Sequence, residues 1–230
     1  MNIDNNLYYL ITMLISLSYP LLNSFEKRIY FFNKWKFLFP SILIMMSIFI
    51  PWDIYFTKIG IWSFNDKFII GKKLYFLPFE EWLFFIIIPF CCVFIFEVLK
   101  YFFPNNLINI KSYYYKLLAI VILCFAIYYK NELYTLSVFS FTSLMLYISS
   151  LASNKFINDL FRTFLVSLIP FFLVNGFLTG SYSEPIVIYN SDEIINFRIL
   201  NIPIEDFFYS FSMISLTLIV YDSLINRFGN

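Results

Sequence analysis

Histidine is absent from all 230 residues, and that one gap removes several chemistries together. The chain cannot carry the clustered imidazoles of membrane di-iron hydroxylases and desaturases, a histidine-ligated haem, or a Ser-His-Asp triad. Glycine numbers only 5, and neither GxGxxG nor GxxxxGK[ST] occurs, so the signatures of a bound dinucleotide or of ATP are missing. Cysteine numbers 3. Cys91 and Cys92 are neighbours in one apolar run and Cys124 lies in another, which fits neither a disulfide framework nor a zinc spacing and reads as packing. Charge is scarce as well: 13% of residues are charged, the formal net charge is +1, and no basic cluster offers a surface to nucleic acid. What remains for catalysis is carboxylates, hydroxyls, amides and aromatic faces, a set suited to proton transfer without a metal or cofactor.

What is abundant is apolar surface. At 60% hydrophobic, with a mean hydropathy of +0.75, the sequence describes an all-α integral membrane protein whose expected partner is lipid. Apolar runs near 7–22, 37–52, 79–99, 113–129, 133–151, 161–180 and 204–221 approach the roughly 20 residues that cross a bilayer core as helix, giving about seven spans. Their length and lack of alternation fit helices and not barrel strands. The first run has neither a basic flank nor a small-residue cleavage site and reads as a retained helix. Lys and Arg are denser in the loops after helices 1, 3, 5 and 7, which places the N-terminus outside and the C-terminus in the cytoplasm of a multi-pass cell-membrane protein, a bacterial inner membrane being expected.

An internal repeat organises the chain. With Asn65 set against Asn190, "NDKFIIGKKLYFLPFEEWLFF" aligns without a gap on "NSDEIINFRILNIPIEDFFYS". Asn65/Asn190, Ile69/Ile194, Ile70/Ile195, Pro78/Pro203 and Glu80/Glu205 are identical, and Lys73/Arg198, Glu81/Asp206, Trp82/Phe207 and Phe84/Tyr209 are alike. The copies precede helices 3 and 7, so both halves insert in the same direction: residues 1–105 form one three-helix repeat, 106–132 a connecting helix, and 133–230 the second repeat. The long loops before helices 3 and 7 each read as a short hairpin, with "GIWSF" and "PIVIY" as first strands and "FIIGKKLYF" and "IINFRILNI" as return strands.

Pro78 and Pro203 mark helix starts at the first helical position, which places Glu80, Glu81, Glu205 and Asp206 in first turns. Free backbone N–H groups and the dipole there favour a carboxylate, whereas burial among aromatic rings and a neighbouring acid favour the neutral form, so a pair need not ionise fully. Adjacent helical residues point about 100° apart, so one member of each pair faces the bundle and the other the hairpin or headgroups. Acids in a first turn are ordinary stabilising features. Their duplication in register, beside intramembrane Asp53 and Asn175, favours function. Lys73 and Arg198 either pair with the acids or anchor the loops in headgroups. Aromatic residues make up 23% of the chain, a bias that an AT-rich coding sequence also produces, so weight goes only to those beside the motifs: Trp52, Trp62, Phe64, Trp82, Phe208 and Tyr209.

The combination resembles the membrane-integral lycopene cyclases of the bacterial heterodimeric and fungal fused type, which carry Pro-x-Glu-(Glu/Asp) in each of two homologous domains. Here those are "PFEE", 78 to 81, and "PIED", 203 to 206, accompanied by "WDIYFTKIGIWSF", "LVNGFLTG", "PIVIYN" and "RILNIPIEDFFY". The resemblance implies two domains fused in one chain. It also implies redox-neutral, proton-initiated cyclisation of the ends of lycopene, or of another acyclic carotenoid, to β-ionone rings. It implies Glu80 and Glu205 as acid or base, Glu81 and Asp206 as tuning partners, and Asp53, Asn65, Asn175 and Asn190 as supporting groups. No cofactor is expected. The rival from another class is an ion-coupled transporter or lipid-binding protein, since duplicated helix-start acids describe carriers too. The polar motifs sit at helix entries and not at broken midplane helices, which favours the enzyme. A membrane prenyltransferase would need DxxxD clusters, and none occurs in the sequence.

Overall fold

The computed structural model describes residues 5–105 and 109–229. Residues 106–108, at the start of the expected connector, lie outside the described residues. Seven α-helices follow one another among those described: α1 (Tyr8–Asn23), α2 (Trp35–Ile59), α3 (Phe79–Phe102), α4 (Ser112–Tyr128), α5 (Leu133–Ser149), α6 (Asn154–Leu178) and α7 (Ile204–Phe228). By length and composition α2 with the turn before it, α3, α6 and α7 are long and apolar enough to cross a membrane. α1, α4 and α5 are shorter, at 16, 17 and 17 residues. The protein has an all-α membrane fold.

Three helices outrun their apolar runs by about two turns, α7 continuing past Tyr221 to Phe228. α2 continues past Asp53 to Ile59, and α6 begins at Asn154, ahead of the run that starts near 161. At Asp53 and at Arg162 the charged side chains are buried and held by hydrogen-bond partners. The indole N–H of Trp62 donates to Asp53 Oδ1 at 2.7 Å. Arg162 binds Asp159 at 2.8 Å and also donates to the carbonyls of Phe103 and Leu99. A hydropathy count stops at a charge, but a helix does not when that charge has partners.

Contacts between helix ends set their directions. Tyr9, near the start of α1, meets Glu81 at the start of α3, and Tyr134 at the start of α5 meets Asp206 at the start of α7. Asp53 and Asn175 approach the same end from the last turns of α2 and α6. At the opposite end Lys34, just before α2, and Tyr221 of α7 both bind the buried carboxylate of Glu97 in α3. α1 to α3 and α5 to α7 therefore run in matching alternation, and Ser143 fastens α5 to α4 through the carbonyl of Ala119 at 2.7 Å.

The loops before α3 and α7 differ from the expected hairpins. Their strands are β1 (Trp62–Phe64), β2 (Lys73–Leu74), β3 (Leu77–Pro78), β4 (Val187–Tyr189), β5 (Arg198–Ile199) and β6 (Ile202–Pro203). β1 finds its partner in the other loop: it pairs antiparallel with β4, matching Trp62 to Tyr189, Ser63 to Ile188 and Phe64 to Val187. Asn65 N–H donates to Ile186 and Asn190 N–H to Ile61, both at 2.8 Å, so each half contributes the same bonds to the other. Two three-residue strands are marginal alone, and their pairing ties the halves together over one end of the bundle. Within each loop only the tight hairpins β2–β3 and β5–β6 form. Their two-residue turns, Tyr75-Phe76 and Leu200-Asn201, have positive φ at both positions, as the twist-matched hairpin turn requires.

Pro78 and Pro203 also sit one residue earlier than expected. Each is the extended residue before its helix, with ψ of 152° and 142°, because each closes a hairpin by pairing with Lys73 or Arg198.

Candidate active site

The two acids of each first turn have opposite surroundings. Glu80 and Glu205 are fully buried and turn toward the preceding loop, where the backbone N–H of Ile70 donates to Glu80 and that of Ile195 to Glu205, each at 2.7 Å. Glu205 receives a second donor, the hydroxyl of Thr135, at 2.6 Å. These carboxyls hold the loops onto the helix starts. In each, Oε2 has no protein partner.

Glu81 and Asp206 turn the other way, into the bundle. Both line one cavity of about 500 Å³ that also receives Asp53 and Asn175. The phenol of Tyr9 donates to Glu81 Oε2 at 2.5 Å. Asp206 gathers three donors: Tyr134 on Oδ1 at 2.8 Å, and Asn175 at 2.8 Å with Tyr189 at 2.9 Å on Oδ2. Burial and the neighbouring Asp206 carboxylate hold the Tyr189 phenol well above its ordinary value, so this loop residue stays protonated and donates. Asp53 takes Trp62 on Oδ1, while its buried Oδ2 has no protein partner.

The expected residues divide cleanly by place. Trp62, Phe64 and Tyr209 line the cavity. Trp52 packs behind it against Tyr209, with ring centres 5.4 Å apart, and Trp82 points to the loop and donates to the carbonyl of Leu74. Phe208 packs at a tilt against Phe139, ring centres 4.6 Å apart, and borders a second, apolar cavity of about 330 Å³ toward α4. Their helix faces, set by the 100° step, turn these three away from the acids. Asn65 and Asn190 cap the 3₁₀ turns after β1 and β4 by accepting from the N–H of Lys67 and Asp192. Lys73 pairs with exposed Asp66 at 2.7 Å, and Arg198 donates to the carbonyl of Asn201 while lying over the Tyr189 ring. Neither cation reaches the acids, because both sit on the outward hairpins.

Tyr9, Tyr134 and Tyr189 escaped the motif reading. A signal for two of them was present: Tyr9 and Tyr134 stand in the same relation as Glu81 and Asp206, so carrying the repeat alignment back into helices 1 and 5 pairs them. The cavity thus holds carboxyls from both halves, phenol and amide donors on them, and aromatic walls. No lysine or arginine is among its lining residues. Such a site can exchange protons with an apolar ligand and shelter a cation from water.

Comparison with known proteins identifies the family. The lycopene cyclase family model matches residues 5–99 and 131–224, most of both halves, and leaves α4 outside. A bifunctional lycopene cyclase/phytoene synthase of Neurospora crassa is 35% identical over 75 residues, which cover 33% of this chain. That similarity spans 11% of the fungal protein's length. No solved structure matches the chain. The family model covers well over half of the residues, and on that match the chain belongs to the lycopene cyclase family.

Proposed function

We propose that this protein cyclises the linear ends of lycopene to β-ionone rings, giving γ-carotene and then β-carotene within the bilayer. The observation that carries the reading is the meeting of Glu81 and Asp206, one from each half, in a single apolar cavity. In this reading the second acid of each pair reacts and the first positions, the reverse of the assignment carried over from the resemblance.

A carboxyl of the cavity delivers its proton to the terminal double bond and leaves a tertiary cation. The π pair of the next suitably placed double bond closes the six-membered ring and moves the positive charge onto a ring carbon. A carboxylate then takes a ring proton, and the electron pair of that C–H bond becomes the ring double bond. One proton enters and one leaves, so the reaction is an isomerisation with no change in oxidation state. Glu81, with one phenol on it, suits the proton donor. Asp206, with three neutral donors, suits the group that carries negative charge. The faces of Trp62, Phe64 and Tyr209 attract the passing cation by about 0.5–2 kcal/mol each.

We further propose that the halves, 1–105 and 133–230, are repeats joined by a connector at 106–132. On the Lys and Arg count, the acid-bearing end lies at the outer face. Expression in a lycopene-accumulating bacterium tests the function. Products of unchanged mass with a blue-shifted spectrum are expected, and unaltered lycopene beside well-inserted protein would overturn the proposal.

A further inference from the structure

The two halves carry equivalent seams, and only one is open. Under the relation that sets Tyr9 against Tyr134 and Glu81 against Asp206, α1 corresponds to α5 and α2 to α6. The α1–α6 seam is therefore the counterpart of the α5–α2 seam. Along the first, Ile15 and Tyr19 of α1 and Leu173 of α6 line the reaction cavity while being 67%, 68% and 63% exposed on the outside of the bundle. The cavity communicates there with the lipid-facing surface. Along the second, Phe141 of α5 is wedged against Phe49 and Trp52 of α2, 5.6 Å from each, and Tyr209 seals the group from inside at 5.0 Å and 5.4 Å.

The residue that differs is Ser16. It takes the place on α1 that Phe141 takes on α5, and it lines the cavity. Its hydroxyl folds back onto the carbonyl of Thr12 at 2.7 Å, so it presents little bulk and little polarity to the seam. The cavity runs along α3 from Glu81 to Ile95, roughly 20 Å at the helical rise, with its carboxyls at one end and apolar walls along the rest. A linear carotenoid is longer than that. The remainder has to pass out through the open seam, and lipid chains are the only medium outside it in which a polyene is soluble.

We propose that the substrate enters end first from the bilayer between α1 and α6, through an opening kept clear by Ser16. The matching seam on the other half is closed by Phe141. The inference rests on the cyclase reading and adds a consequence to it: the single cavity accepts one end at a time, and the molecule withdraws and turns before its second end reacts.

The test uses the full chain in membranes loaded with lycopene. Ser16→Phe installs the plug of the other half, and Leu173→Trp fills the opening from α6, where its exposure leaves room for the larger ring. Each is expected to lower kcat/KM by about tenfold or more. Leu14→Trp adds the same bulk to α1 at a residue outside the cavity lining, and is expected to convert at the wild-type rate. Protein recovered from each membrane and run as a single species in detergent establishes folding; if Ser16→Phe fails that check, Leu173→Trp decides. An active wild type with folded Ser16→Phe and Leu173→Trp proteins at full rate overturns the entrance and leaves the cyclase reading intact. An inactive, well-inserted wild type overturns the reading itself.

Discussion

The phenol of Tyr9 donates to Glu81 Oε2 at 2.5 Å, and Tyr134 donates to Asp206 at 2.8 Å in the same relation, so each half brings its helix-start tyrosine to its cavity-facing acid. Tyr9 is the one protein donor to Glu81 among the described residues. Tyr9→Phe keeps the ring and the packing and removes that hydrogen. If the protein cyclises lycopene as proposed, the initial rate in membranes should fall by about 10- to 100-fold, corresponding to about 1.4–2.7 kcal/mol for a bond to a charged or reacting group. A rate within a factor of two of wild type would show that the phenol has no part in proton transfer.

Under the proposed mechanism, the division of each acid pair separates reaction from positioning. Glu81→Gln and Asp206→Asn should each lower the rate by about 10²- to 10⁴-fold, the span for loss of a positioned acid or base. Glu80→Gln and Glu205→Gln retain a carbonyl oxygen to accept from Ile70 and Ile195 and should lose only several-fold. Their alanine variants leave a buried N–H unpaired and should destabilise the protein by about 1–3 kcal/mol, read by thermal unfolding in detergent. The opposite order of effects within the pairs would return the reacting role to Glu80 and Glu205.

At the far end, Glu97 is 3% exposed and is held by Lys34 and Tyr221. Removing one partner of a buried ion pair costs more than the pair contributes, because the other charge is stranded. The Lys34 side chain is 37% exposed, so solvent moderates the loss to about 2 kcal/mol for Lys34→Ala. The combined change Lys34→Met, Glu97→Met and Tyr221→Phe, which leaves no buried phenol without an acceptor, should recover most of that stability in the same unfolding measurement. Activity should stay near wild type throughout, since the pair lies at the opposite end from the acids.

Much of the bundle was legible because apolar runs and packed helices share one cause, the need to satisfy backbone groups in lipid. What escaped was set by partners distant in sequence. The start of α6 was hidden because Arg162 finds the carbonyls of Leu99 and Phe103, far away in sequence, only once the chain is folded. The pairing of β1 with β4 was hidden because local patterning cannot report a strand in the other half. The 100° step showed that the acids of a pair must diverge. Which acid meets the cavity followed from the loop, whose N–H groups at Ile70 and Ile195 claim Glu80 and Glu205. Tyr9 and Tyr134 were within reach of the sequence alignment that pairs Glu81 with Asp206, but a phenol in an aromatic-rich chain carries little signal until a carboxylate is placed beside it.

The convergence on Asp206 gives a prediction in which two changes fail to add. Asn175 and Tyr189 donate to the same oxygen, Oδ2, at 2.8 Å and 2.9 Å, while Tyr134 serves Oδ1. With either Asn175→Leu or Tyr189→Phe alone, the other donor still holds Oδ2, and the rate should drop by about tenfold or less. With both, Oδ2 loses every protein donor, and the rate should approach that of Asp206→Asn. The double-mutant cycle should then show a coupling of about 1–2 kcal/mol, the size found for residues sharing one hydrogen-bond network. Pairing Tyr134→Phe with Tyr189→Phe removes one donor from each oxygen and leaves Asn175 on Oδ2. That pair should be closer to additive, which separates a specific demand on Oδ2 from a general loss of polar contacts around the carboxylate.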